Sequence, residues 1–457
     1  MSAQKRITEN KMGVMPLTQL LINMAVPIVL AMVVQALYNV VDSIYVSRIS
    51  ESAVTALSLA FPVQNIMIGF ATGIGVGVNA LLSKSLGEGD RKTASRTAGN
   101  GYFLVAVVTV LFALFGIFGT RPFFEMQSNV TETVEGGIAY ISICCIFAVG
   151  VFVEILGERL LQASGRTVFT LVTQGTGAVL NILLDPVFIF GAEWLGIKPM
   201  GIAGAAVATV IGQWAAAILT LIFNFKCNPE AKFGLRDLLP SGRVIRTVLT
   251  VGVPSIIMVA IGSVMNFSMN QILQGFSETA TSVFGIYFKL QSFFFMPVFG
   301  VNNATVSIVA YNYGARKPQR ILGTLKRSCL IAMCIMVAGL LAFQLAPDLL
   351  LGIFNPSEEF LRIGRSALRQ ISWAFPMAAI GIALTAGFQA LGNGSYSTII
   401  SLCRQMLVLL PVAYLLSLTG NVTNVWWAYP IAEVISLCVT LLFFLRIYRR
   451  KIKPLTE

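Results

Sequence analysis

Apolar stretches of twenty or more residues recur along the whole of this 457-residue chain. A stretch of that length crosses a bilayer as a helix. In hydrocarbon the backbone must satisfy its own hydrogen bonds, and a helix does so without a partner. Twelve spans are read, with approximate limits 17–46, 53–83, 93–120, 133–158, 167–190, 201–225, 243–273, 279–311, 319–345, 360–388, 396–419 and 424–446. Several exceed 25 residues, so those helices tilt or project beyond the lipid. Only 11% of residues are charged, against roughly a quarter in a soluble domain. The expected fold class is therefore an all-α polytopic membrane protein. The first residues are polar and the first apolar run is too long for a signal peptide core, so no cleaved leader is expected.

Loop charge sets the expected orientation. One side carries Lys5, Arg6 and Lys11, then Lys84, Arg91, Lys92 and Arg96, then Arg159 and Arg166. It continues with Lys226, Lys232, Arg236, Arg243 and Arg246, then Arg316, Lys317, Arg320, Lys326 and Arg327, and ends with Arg446, Arg449, Arg450, Lys451 and Lys453. The other side shows Arg48, Arg121 and Lys198. Both termini are expected in the cytoplasm, which an even number of spans permits. The net charge of +12 sits in these short loops and does not imply nucleic acid. The basic tail RIYRRKIK reads as an orientation anchor, with a lipid-binding patch as the alternative. Seven cysteines show no metal or disulfide spacing and are expected to be reduced. There is no histidine, so proton chemistry falls to carboxylates.

The chain is also a repeat. Shifted by 227 without gaps, Val26-Pro27 falls on Val253-Pro254, Asn39 on Asn266, Ala53 on Ala280 and Gln64 on Gln291. The same register holds for Gly73 on Gly300, Gly87 on Gly314, Thr97 on Thr324, Gln162-Ala163 on Gln389-Ala390 and Gly165 on Gly392. The division expected is a tail 1–16, an N lobe 17–225, a linker 226–242, a C lobe 243–446 and a tail 447–457. Six spans per half put both halves in from the same side, related by an axis along the membrane normal, as in carriers that rock two lobes about a central site.

The most informative stretch is QGTGAVLNILLDPVFIFG, residues 174–191. Asp185 lies within span five, where an ionised carboxylate must face water, a partner, or both. Asn181 is one turn earlier on the same face. Pro186 lacks an N–H and can free a carbonyl. The set suggests a cation or proton site. An Asp pinned structurally against a neighbouring helix is the alternative.

Ordered motifs carry a family resemblance over nearly the whole length. They are Pro27 and Pro254 in the first helix of each half, FATGIGVGVNALLSKSLGEGD closing span two, ERLLQASGRT, NILLDPVFIFG, GIAGAAVATVIGQ opening span six, and FFFMPVFGVNNATVSIVAYNYGARKPQR. In this order the chain resembles the multidrug and toxic compound extrusion (MATE) transporters. The resemblance implies two six-helix bundles around a central cleft. It also implies export of amphipathic, often cationic, organic compounds in exchange for H+ or Na+, with no cofactor and no enzymatic activity. It places the chain in a bacterial plasma membrane, and a monomer is expected.

The resemblance further implies an N-lobe coupling site at Asp42, Asn181 and Asp185, with Thr209. Depth agrees, since Asp42 lies about four residues from the end of span one and Asp185 about five from the end of span five. Asn39 is three residues before Asp42. Two close carboxylates do not both ionise comfortably, so the pair holds a proton or a cation. Residues expected to line the substrate cleft are Gln35, Tyr38, Glu154, Lys289, Met296 and Glu433; Met and aromatic side chains suit varied amphipathic cations. Glu158 and Arg159 are expected at the interface.

Spans seven and ten carry no acid, unlike another branch of the resembled family. The C half instead holds Lys289, Arg369, Arg404 and Glu433. Lys289 and Glu433 match in depth and are expected to pair. The GIGVGVN glycines suit close helix packing better than phosphate binding. Two rival classes stand beside the exporter. A lipid-linked oligosaccharide flippase would use Arg369, Arg404 and Lys289 on a pyrophosphate. A membrane enzyme or receptor lacks any metal cluster, nucleophile constellation or nucleotide loop in this sequence.

Overall fold

The computed structural model describes residues 10–192, 196–354 and 357–455, apart from the side chain of Glu51. Lys5, Arg6 and most of the 1–16 tail lie outside the described residues. The long helices are α1 (Leu17–Ser47), α2 (Glu51–Glu88), α3 (Arg91–Glu125), α4 (Thr131–Ala163), α5 (Thr167–Phe190) and α6 (Ile202–Cys227). The second half gives α7 (Gly242–Gln274), α8 (Glu278–Gly314), α9 (Pro318–Leu345), α10 (Glu358–Ala390), α11 (Gly394–Ser417) and α12 (Val422–Leu455). Helix α4 is one span broken by a 48° bend between Ile146 and Val149, so the described helices make twelve crossings. The expected all-α fold of two six-helix lobes is the fold observed, and each expected span lies on one of these helices.

The repeat is now visible in the caps. Displaced by 227, the starts of α2, α3, α4 and α5 fall on the starts of α8, α9, α10 and α11. Ser50 and Ser277 are equivalent N-caps, each hydroxyl accepting the N–H three residues on at 3.1 Å. Gly165 and Gly392, at φ of 77° and 73°, turn the chain after α4 and α10. Where α2 ends in Gly89 at φ 74°, the equivalent after α8 is Arg316 at φ 53°, a left-handed residue carrying a side chain. The bend in α4 has its counterpart in the tight turn Ser372–Ala374 inside α10.

Glycines join the lobes. A Cβ on Gly73 would lie 2.8 Å from the Gly252 oxygen, and one on Gly252 would lie 3.0 Å from the Gly73 oxygen. A Cβ on Gly87 would collide with the Tyr311 carbonyl, and one on Gly314 with the Lys84 carbonyl. Lys84 and Tyr311 are themselves related by 227, so the contact is reciprocal, as a two-fold axis along the helices requires. Ser307 donates to Asn79 Oδ1 across the same seam at 3.0 Å. These contacts gather in the half of the molecule next to the basic loops, called the basic end below. The expected packing role of the span-two glycines is what Gly73 and Gly77 perform, Gly77 fitting against the Val248 carbonyl.

The linker and the N-terminal segment reinforce the basic end. Asn100 of α3 donates to the Asp237 and Leu239 carbonyls at 3.0 and 3.2 Å and accepts from the Ser241 N–H at 2.7 Å. The short helix Lys11–Val14 bridges the lobes. Asn10 donates to the Ser164 carbonyl and to Glu230, while Asn312 and Arg320 of the C lobe donate to the carbonyls of Met12 and Met15. Burial, and then the charge of Arg166, hold the Lys11 ammonium below its ordinary value.

If the glycine seam keeps the basic end shut, Gly87→Leu forces it apart. Spin labels at Lys92 and Gln319, in a background freed of native cysteines, are expected to show a distance several ångströms longer and broader than without the substitution. An unchanged distance distribution would show that the seam yields without opening.

Candidate functional site

The N-lobe acids sit where two helix backbones meet closely. Gly177 of α5 and Gly212 of α6 face each other: a Cβ on the first would lie 3.1 Å from the Gly212 oxygen, and one on the second 2.7 Å from the Gly177 oxygen. That approach places Asn181, one turn beyond Gly177, within reach of α6. The Asn181 amide nitrogen donates to Asp185 Oδ2 at 3.3 Å and its oxygen accepts from the Thr209 N–H at 3.2 Å. The Thr209 hydroxyl donates in turn to the Ala205 carbonyl at 2.9 Å. Asp185 is fully buried, Asn181 2% exposed, and Thr209 and Asp42 8% exposed. Asp42, from α1, lines a cavity that Thr209 also lines. Its Oδ1 is buried with no hydrogen-bond partner among the described residues, an expensive state that water or an ion would relieve. Asn181, Asp185 and Thr209 are thus brought together, three of the five residues expected at the coupling site. Asp42 and the exposed Asn39 line a cavity to which Thr209 also contributes.

That cavity holds about 390 Å³. Asp42, Asn39, Tyr38 and Gln35 of α1 form one wall, with Gln64 and Phe61 of α2, Tyr140 of α4 and Gln213 of α6 around it. Gln64 donates to the Tyr140 hydroxyl at 3.0 Å. A smaller cavity continues toward the basic end and is lined by Tyr38, Gln35, Asn181, Gln174 and Glu154. Gln35, Tyr38 and Glu154 thus line cavities, as expected of cleft residues. Lys289 is exposed and Met296 half-buried, and neither lines these two cavities. Gln64, Tyr140, Gln174 and Gln213 were not among the site residues expected from sequence. Their signal was present as polar residues within apolar spans, but nothing in one sequence says which face they take.

Two expectations about charge are corrected. Glu158 is not interfacial. It is 4% exposed and accepts from Thr173 Oγ1 at 2.9 Å and Gln174 Nε2 at 3.0 Å. In the C lobe, Glu433 of α12 does not pair with Lys289. Arg404 of α11 takes that place, its Nη1 3.2 Å from Glu433 Oε1, while Lys289 is exposed. Arg404 lies at the start of a π-helical stretch, Cys403–Leu409, which resets the face α11 turns to α12. Depth matching alone could not see that shift of face. Among the described residues no three His, Cys, Asp or Glu side chains are placed to hold a metal ion, and the seven cysteines are free thiols.

Comparison with known proteins meets this geometry at both halves. The MatE family model matches residues 27–187 and again 254–415, the two copies of the repeat. The chain belongs to the MatE family. It is similar to the multidrug export protein MepA of Staphylococcus aureus (strain MRSA252), with 23% identity over 431 residues, covering 93% of this chain and 92% of MepA. Its fold matches a solved outward-facing multidrug resistance MATE family transporter of the MOP superfamily, at TM-score 0.89 and 25% identity over 98% of this chain and 99% of that one. A MATE solved in a straight conformation matches equally, at TM-score 0.89, 25% identity and the same coverage. The MatE chain is an efflux transporter of a bacterial membrane, crosses it many times, and is not an enzyme.

The C-lobe pair yields a stability test. Removing one partner of a poorly solvated ion pair leaves a charge without compensation, whereas replacing both with apolar groups is often near neutral. Arg404→Met is expected to lower the melting temperature of the purified protein clearly. Arg404→Met with Glu433→Leu is expected to recover most of the loss. Equal losses from the single and double variants would show that the pair carries no coupling.

Proposed function

We propose that this MatE protein exports amphipathic organic cations from the cytoplasm in exchange for H+ or Na+ bound at Asp42 and Asp185 in the N lobe. The observation that carries the reading is the Asp42–Asp185–Asn181–Thr209 cluster. Asp185 is buried against Asn181 and Thr209, and Asp42 lines a cavity with Thr209, with no basic partner for either carboxylate among the described residues. Such a site favours a proton or a small cation over emptiness. MepA is a multidrug export protein, which supports the substrate class. The bias of basic loops supports cytoplasmic termini in a bacterial plasma membrane. One chain contains both lobes and the site, so a monomer suffices.

The exchange follows from mutual exclusion. An organic cation is attracted to a lobe whose acids are ionised, and neutralising them removes the attraction. Loading the ion also removes the demand for solvent at Asp42, which lets α1 bend near Pro27 and narrow the cavity. Pro27 supplies the weak point, because it lacks the N–H that would bond one turn back. A carrier shifts between two states only by differential affinity for them, so the acids must be differently solvated in each.

The flippase alternative needs a cationic set for a pyrophosphate. Here Arg404 is neutralised by Glu433, and Arg369 and Lys289 are exposed. The geometry favours the exporter. In everted membrane vesicles, with proton and sodium gradients collapsed in turn, Asp42→Asn and Asp185→Asn are each expected to cut gradient-driven efflux of a cationic dye by about tenfold or more. Full efflux by the Asp185→Asn protein would contradict the assignment.

A further inference from the structure

A third cavity, of about 140 Å³, continues the other two toward the basic end. It shares Gln35, Ile68, Ile155 and Gln174 with the cavity at Glu154, which in turn shares Tyr38 and Gln213 with the cavity at Asp42. The three form one line through the N lobe, studded with polar side chains. Glu158 and Arg159 sit on the wall of the third, with Thr170 and, from the C lobe, Asn303.

Resting on the exporter reading above, we propose that Glu158, reached from the Asp42–Asp185 site through Glu154, is the station from which the coupling ion leaves toward the cytoplasm, and that this ion is the proton.

Four observations carry the proposal. First, Glu154 and Glu158 are one turn apart on the same face of α4, and both line the path. Second, the Glu158 carboxylate is pinned by donors from Thr173 and Gln174, an arrangement that holds a charge in place without neutralising it. Third, Thr170 is 1% exposed, lines the third cavity, and its hydroxyl has no partner among the described residues. A buried hydroxyl on a polar cavity wall is a site for water, and water completes a proton path between carboxylates. Fourth, Arg159 shares the third cavity, with room made by Gly75, whose Cβ would lie 2.7 Å from the Arg159 side chain. The Arg159 guanidinium offers no oxygen ligand and raises the cost of any cation there. A proton relayed onto the Glu158 anion ends as a neutral O–H group and needs no ligand shell.

The charged and titratable neighbours are few. On α4 itself they are Glu154 and Arg159. From α1 they are Tyr38, one cavity further out, and Asp42, two cavities out. The lining that α2, α5 and α8 contribute to the third cavity is neutral. In the transfer the proton leaves Glu154 for Glu158 through water and then enters the cytoplasm, and both carboxylates return to their anionic forms. The C lobe has no such line, because Gly381, Thr385 and Ala386 stand at the positions related by 227 to Glu154, Glu158 and Arg159.

The test uses the full chain in proteoliposomes, with ethidium and tetraphenylphosphonium as probes. The native protein is expected to accumulate at least one probe under a pH gradient without sodium. Glu158→Gln, which keeps the size and an acceptor for Thr173, is expected to lose about tenfold or more of that uptake while exchanging probe for probe without a gradient at a near-native rate. Glu158→Asp is expected to restore part of the driven uptake. Native uptake driven by sodium and not by pH, or full pH-driven uptake by Glu158→Gln, overturns the proposal and leaves the exporter reading standing. Loss of exchange together with uptake in both variants makes Glu158 structural and also overturns it. If the native protein moves neither probe under either gradient, the exporter reading itself fails.

Discussion

A carboxylate in the hydrocarbon region of a membrane is the constraint on which this molecule depends. Inserting an Asp at the centre of a span costs about 2.5–3.5 kcal/mol even by the mildest measure, and the N lobe carries Asp42, Asp185, Glu154 and Glu158 in its spans. Each is turned inward. Asp185 is held by Asn181 and Glu158 by Thr173 and Gln174, while Glu154 and Asp42 border cavities. The C lobe has the same ancestry and topology but answers the problem differently, pairing its half-buried acid Glu433 with Arg404. One lobe therefore keeps acids whose charge an ion can cancel, and the other has cancelled its own.

The remaining architecture gives that charge something to move. The lobes meet through glycines at the basic end, where backbones touch at Gly73–Gly252 and at Gly87–Tyr311. Contacts of this kind are made or unmade as units, because a packed seam does not deform continuously. The bridge of Asn10 to Met15 between the lobes must rearrange with it. Proline within α1 and α7, at Pro27 and Pro254, supplies equivalent points of compliance in the first helix of each half.

Much of this was legible in the sequence because the membrane imposes it. Span length, loop charge and the register of 227 depend on one-dimensional facts, and the caps at Ser50 and Ser277 repeat them in three dimensions. The joining of Asp185 with Asn181 and Thr209 was legible through spacing and resemblance. What was not legible depended on rotation about a helix axis. Glu158 was expected at the interface because it neighbours Arg159 near a span end, yet α4 projects further and turns it into the bundle. Lys289 was matched to Glu433 by depth, while the π-helical turn at Cys403–Leu409 presents Arg404 instead. A single sequence records depth well and azimuth poorly wherever a helix is apolar on most sides.

The central claim is that ion and organic cation compete for one ionised N lobe. The most direct measurement is the affinity of the purified protein for a fluorescent organic cation across a range of pH and sodium concentration, with proton release followed on binding in weak buffer. The account predicts that affinity falls as pH is lowered or sodium is raised, and that binding expels protons or sodium. An affinity independent of both, with no ion expelled, would contradict it.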